Sequence, residues 1–476
     1  MKIEKIVAQL NEKDYSTLCE KFTQSKADKY LTLLNHYRKN KSSDSDIQKE
    51  LDIKSAAFYT LKSRLYDKIQ EYLYKSTQDT RVELLQNVAN IEHLIYKAPK
   101  ETAIGLIRKM EAELLKNDMP NELIIVYKAL KKLHVYSPKY YDYQQLYNKF
   151  VAYNLAQDKA EEALSSFCKT LTMLHVTRDP KYFDILVLYK REMQNLCRIH
   201  QSHRLTAHKN ILNIHFALFC PVPEEMTNDD TVEDMLRETY EIIENNPEDS
   251  TYIHLVNAVH FLSFEYYNQL KLYKNAAVYF EKIDDENGSI LLYNHSCFAL
   301  HFLVSKIRWH YVNKTTGALN EKEELIYEPG PDNIPEHIIF KQYKAFVYFY
   351  KGKIGEAIQT LNKLINDVSF KDILHAEIEV KLFQVFLFLL SEKSDQAEIT
   401  LRSISRKIAD EDDEIKHHVA LLYVKLFKTV LANKTAGKLG KLTDIRKLIT
   451  VSNNGPDSLL SNLHISDEHL LKLSKL

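Results

Sequence analysis

Residues 338–404, IIFKQYKAFVYFYKGKIGEAIQTLNKLINDVSFKDILHAEIEVKLFQVFLFLLSEKSDQAEITLRSI, carry one spacing pattern twice. Ala345, Tyr348, Gly352, Ile354, Ala357 and Leu361 set the pattern, and Val385, Phe388, Ala397 and Leu401 repeat four of its positions 40 residues later, 345 matching 385. Small side chains at fixed places in two successive helices let the pair approach closely and stack on the next pair. The stretch therefore predicts consecutive helical hairpins.

Two further segments carry the same spacing. In FLSFEYYNQLKLYKNAAVYFEKI (261–283) it falls on Phe264, Tyr267, Tyr273, Ala276, Phe280 and Ile283; in KFVAYNLAQDKAEEALSSF (149–167) it falls on Val151, Ala163 and Phe167. Small residues are favoured at positions 8 and 20 of such a unit, with aromatics at 11, and the spacing of the four units resembles the tetratricopeptide family of helical repeats. The resemblance implies an all-α fold, a right-handed alpha-solenoid of hairpins with an N-terminal helical bundle. It also implies a scaffold that binds another protein or a peptide in a concave groove. Ala345, Tyr348, Gly352, Ala357, Phe388, Ala397, Tyr267, Ala276 and Phe280 are then its packing residues.

Composition agrees with helices. Nine glycines and eleven prolines in 476 residues leave little material for the tight turns of a sheet protein. Lys plus Arg is 64 and Asp plus Glu is 65, a net charge of −1, so no global field draws the chain to nucleic acid or an anionic membrane. Five scattered cysteines without a C-x-x-C fit a reducing, cytoplasmic setting. The charged N-terminus does not read as a secretory signal. The longest apolar run, Leu382 to Leu390, is broken by Gln384 and too short to span a bilayer, so no membrane is expected.

The chain divides into a bundle at 1–80, an array at 81–445 and a C-terminal cap at 446–476. Breaks are expected at 97–100, 116–120, 137–139, 156–159 and 178–181. Prolines mark 221–230 as a hinge or loop and 313–337 as an excursion. The cap is expected to present a polar face that ends the array.

Residues 31–73 resemble a helix-turn-helix: a short helix with Ile47 and Leu51, a turn at Asp52, then a longer helix with Phe58, Leu61, Leu65, Ile69 and Tyr72 on one face. Asp52 stands where glycine is usual, in a left-handed position that aspartate tolerates. Residues 1–90 hold sixteen Lys and Arg against thirteen Asp and Glu, a net of about +3. Lys54, Tyr59, Lys62 and Arg64 are the candidate nucleic-acid contacts. The alternative to a scaffold is thus a regulator resembling the peptide-responsive ones of bacteria, in which the repeats sense a ligand and the bundle binds duplex DNA.

Chemistry has little to stand on. Cys197, His200, His203, His208, His215 and Cys220 cluster in sequence, but no nearby carboxylate orients the imidazoles for a metal. Cys297 and His301 lie one turn apart and read as core residues rather than a nucleophile pair. Phosphate-loop, dinucleotide, zinc-protease and serine-hydrolase motifs are absent. The expectation is no enzyme, no cofactor and no metal; the oligomeric state is left open.

Overall fold

The computed structural model describes residues 3, 6–7, 10, 12–39, 44–76, 82–220, 230–247, 249, 251–285, 288–293, 296–319, 327–411, 417–432, 437–452 and 459–476. Nearly all of the expected hinge 221–230 and residues 320–326 of the excursion lie outside the described residues.

The fold is all-α. The bundle contains α1 (Glu12–Gln24), α2 (Asp28–Lys39), α3 (Asp44–Glu50) and α4 (Ser55–Ser76). There follow α5 (Val82–Ala89), α6 (Ile91–Lys97), α7 (Lys100–Lys116), α8 (Pro120–Leu133), α9 (Lys139–Thr177), α10 (Pro180–Ile199), α11 (His203–Phe219), α12 (Val232–Asn245), α13 (Thr251–Gln269) and α14 (Tyr273–Ile283). A two-residue antiparallel ladder pairs Asp284 with Ser289 and Asp285 with Gly288. The second half holds α15 (Ile290–Tyr293), α16 (Ala299–Val312), α17 (Ile334–Tyr350), α18 (Ile354–Asp367), α19 (Leu374–Leu390), α20 (Ser394–Glu411), α21 (His418–Leu431), α22 (Lys438–Ser452), a 3-10 turn (Leu459–Asn462) and α23 (Asp467–Ser474).

One turn recurs along the chain. After α13, α17 and α19 the residues Lys271, Gly352 and Glu392 take φ of 60°, 74° and 60°. The next amide in each case reaches back five residues: Leu272 to Tyr267 O at 2.9 Å, Lys353 to Tyr348 O at 2.9 Å and Lys393 to Phe388 O at 2.9 Å. These are Schellman caps, in which a left-handed residue satisfies the last carbonyls of one helix and reverses the chain into the next. Lys26, Asp52, Asp118 and Lys314 repeat the geometry with φ between 46° and 56°. The chain makes reversals mostly without glycine, which is how nine glycines suffice.

Residues 3 to 69 share one core, built on Leu18, Phe22, Leu33, Leu34, Phe58, Leu65 and Ile69, and a second begins at Leu84. In the second half several helices are buried on every side. From His375 to Leu390, α19 presents one residue to partial solvent, Lys381, and buries the rest. Such a helix is covered by neighbours all round.

Two expectations require correction. The break at 156–159 does not exist, because α9 runs unbroken for 39 residues. The local run NLAQDKAEEA holds neither Gly nor Pro and is rich in Ala, Glu, Gln and Leu, which favour helix over a turn. Val151, Ala163 and Phe167 therefore lie on one helix and form no hairpin unit. α9 ends at Arg178, left-handed at φ 57°, just before Asp179 and Pro180. The boundary at 445/446 also falls inside α22, and the chain beyond that helix turns back: α23 packs on α22 and α19, and the 3-10 turn lies against α16, α17 and α19.

Candidate interaction groove

The helices α16, α17, α19 and α21 are joined by aromatic contacts. Tyr311 of α16 meets Tyr350 of α17 at 5.8 Å between ring centroids, Phe346 of α17 stacks on Phe383 of α19 at 4.2 Å, and Phe386 of α19 lies over Phe427 of α21 at 6.2 Å. Offset and edge-on ring pairs each add about 0.5–1.5 kcal/mol beyond the area they bury. The four helices thus present a continuous aromatic ladder.

Residues 459–474 sit on this ladder. The Tyr350 hydroxyl donates to the Asn462 carbonyl and accepts from the His464 amide at 3.4 Å. The Tyr423 hydroxyl is directed at the carbonyls of Leu460, at 3.3 Å, and Leu463, at 3.2 Å. The His464 ring stacks on Tyr311 with centroids 3.6 Å apart and planes 8° from parallel. His469 rests against Phe349 at 5.5 Å and Phe386 at 5.6 Å, while Leu470 and Leu473 are buried. Burial pushes the Tyr350 phenol far above its ordinary range, so it stays a neutral donor. Burial likewise lowers His464 to about 4, with Arg308 adding to the effect.

A second segment covers these helices elsewhere. The long α9 packs on both α17 and α19, and Val176 near its end belongs to the same core as Ile338 and Phe383. Neighbour-only stacking does not describe the contacts of α9.

Ala276, Ala345, Ala357 and Ala397 are completely buried, Phe280 and Phe388 nearly so, and Tyr267 and Tyr348 are half-buried. Tyr267 stacks on Tyr279 of the partner helix at 5.7 Å, and Phe280 packs on Phe264 and Trp309, each at 5.3 Å. Gly352 supplies the left-handed turn.

In the bundle, Asp52 takes φ 48° between α3 and α4. Lys54, Tyr59 and Arg64 are exposed, Tyr59 by 64%. Lys62 is different: its ammonium bonds Asp44 Oδ2 at 2.8 Å and lies over the rings of Tyr37 and Phe58. Its charge is directed to that carboxylate.

The histidine region departs from its reading. Asp118, left-handed at the α7–α8 turn, places Oδ2 at 3.3 Å from His203 Nε2 and accepts a 2.8 Å bond from the Tyr153 hydroxyl. Burial alone would raise Asp118, and the bonds from His203 and Tyr153 with the Arg204 charge more than reverse this. Arg204 also bonds Asp249 at 2.6 Å, so one network ties α9, α11 and the turns before α8 and α13. A carboxylate does lie beside the histidines, brought from a distant turn. His208 and His215 are buried inside α11, and burial holds His215 at about 3.

Cys297 lines a cleft of about 490 Å³ with Glu161, His208 and His254, whereas His301 lies in the core against His215 and Phe219. Among the described residues no three His, Cys, Asp or Glu are arranged to hold a metal ion. No described helix is long and apolar enough to cross a membrane. No family model matches the chain, and neither a curated protein nor a solved structure does.

Sequence reasoning missed the docked tail. Its signal was the apolar content of SLLSNLHISDEHLLKLSKL, in which leucines and an isoleucine recur too often for a solvated end.

Proposed function

We propose that the chain is a tetratricopeptide-like helical-repeat scaffold, stacked as a right-handed solenoid, that binds another protein or a peptide along the first helices of its hairpins. The observation that carries this reading is the aromatic ladder from Tyr311 to Phe427, which already holds a peptide segment through ring stacking and tyrosine hydroxyls. Aromatic anchors with hydroxyl handles suit recognition of a backbone and its apolar side chains without any bond-making chemistry. Affinity capture with the full-length chain tests it. A protein recovered by the wild type and lost on Tyr311→Ala supports the reading; recovery unaffected by Tyr311→Ala overturns it.

The second reading, a DNA-binding regulator acting through the bundle, is favoured by the left-handed Asp52 between a short helix and a long one that leaves Tyr59 and Arg64 exposed. Retardation of duplex DNA by the full chain, falling steeply with salt and weakened by Lys54→Ala with Arg64→Ala, would support it. Salt-insensitive or absent retardation removes it.

A further inference from the structure

Residues 459–474 return over more than 110 positions of sequence, from His464 to Tyr350, to lie across α16, α17 and α19. A terminal cap would cover the last hairpin alone; this segment packs on α22 of that hairpin, where Arg446 bonds the Ile465 carbonyl and Asp467, and reaches well beyond it. The segment instead occupies the face on which the scaffold reading places a partner.

The way it is held is that of a ligand. Two leucines one turn apart, Leu470 and Leu473, enter the core from a short helix. A capping box starts that helix: Ser466 Oγ accepts from the His469 amide at 3.1 Å, and His469 Nδ1 accepts from the Ser466 amide at 3.2 Å. The preceding turn is gripped through its carbonyls by Tyr350 and Tyr423. Recognition through backbone carbonyls, two apolar anchors and one stacked ring is the pattern of peptide binding.

The fit is also incomplete. Among the described residues, Ser461 Oγ, both polar atoms of the Asn462 side chain and His464 Nε2 are buried with no hydrogen-bond partner. Each such atom costs free energy in the docked state that solvent would return on release.

We propose that residues 459–474 are an intramolecular ligand of the groove, displaced by a partner that offers a short capped helix with two leucines one turn apart and a flat ring to lie on Tyr311. This rests on the scaffold reading and names its ligand class. Because the tail is tethered, its local concentration is on the order of millimolar, so the intact chain masks its own groove.

The test uses the full-length chain and a fluorescent synthetic peptide of residues 459–476. Leu470→Asp with Leu473→Asp should undock the resident tail and raise affinity for the free peptide at least about tenfold over the wild type. Tyr311→Ala in that background should abolish the gain. An undocked variant that keeps its helical circular dichroism and binds no peptide overturns the proposal. Hydrogen exchange on the wild type supplies a reading that does not depend on the variant folding. Amides of 467–474 should open well before those of 378–390, whereas exchange of both together, only on global unfolding, would mark the tail as fixed core and overturn the idea. Peptide bound by the undocked variant, in a chain that captures no foreign protein, would keep the tail as the groove's intramolecular ligand and remove the scaffold reading together with the displacing partner.

Discussion

Gly352 and Glu392 occupy equivalent places in consecutive hairpins, both left-handed, with φ of 74° and 60°, and each followed by an amide that bonds the carbonyl five residues back at 2.9 Å. One is the residue the conformation favours and the other is not. A side chain at positive φ crowds its own carbonyl, a penalty of roughly 1–2 kcal/mol that glycine does not bear. The array therefore carries a conformational cost at Glu392, Lys271, Lys26 and Lys314 that its packing offsets.

Glu392→Gly and Lys271→Gly should each raise stability by up to about 1 kcal/mol, since both sites are exposed and the added freedom of the unfolded chain takes back part of the gain. Gly352→Ala should lower it by about 1 kcal/mol, for strain alone, because nothing lies within 4 Å of the added methyl. Urea midpoints at constant slope check all three.

Ala276, Ala357 and Ala397 are fully buried where paired helices meet. Ala397→Leu should cost roughly 1–3 kcal/mol by overpacking, with Ala397→Ser much less damaging. Equal losses for Leu and Ser in chemical denaturation would show that the site lacks the close approach described.

Tail docking should weaken with acid. His464 is lowered from 6.5 to about 4 and His469 is lowered as well, both by burial first. His464 faces Arg308 and Tyr311 of α16 and Tyr350 of α17, and the Arg308 charge lowers it further; His469 faces Phe349 and Phe386, with Glu468 and Lys472 beside it. The released tail binds protons below pH 6.5 that the docked tail refuses, so the docked state is fully stabilised above that pH and loses ground as pH falls toward 4. For His464 the loss approaches about 3 kcal/mol at the acid end. Protonated His469 also cannot accept the Ser466 amide, which breaks the capping box. Exchange rates of the 467–474 amides between pH 7 and 4.5, corrected for intrinsic rates, give the readout; a flat profile contradicts the assignment.

The Asp249 side chain is 4% exposed and bonds Arg204 Nε at 2.6 Å. Arg204→Met leaves a buried carboxylate uncompensated and should cost about 3–5 kcal/mol. Adding Asp249→Asn, which keeps the oxygen that accepts from the Thr251 amide at 3.0 Å, should recover most of the loss. A double variant no more stable than the single one would place the damage elsewhere in the network.

Much of the architecture was legible along the chain, because a helical hairpin is a local object. Ala345, Gly352 and Ala357 lie within one turn-spanning window, and their spacing states where two helices touch and where the chain reverses. Asp52 was readable as left-handed for the same reason. The error at 156–159 shares this scale: the repeat spacing suggested a turn, but the residues between were helix formers, and propensity prevailed in α9.

What the tertiary structure decided involves partners far apart in sequence. Asp118 meets His203, Tyr350 meets His464, and α9 crosses to α17 and α19 through contacts that no window of 40 residues contains. The sequence by itself determined an all-helical chain of hairpins and their turns, since short-range sterics and apolar spacing specify those. Which faces of these helices are covered, and by the chain's own tail, depended on the summed burial of Leu460, Leu463, Leu470 and Leu473 against a surface that exists only once the helices have assembled.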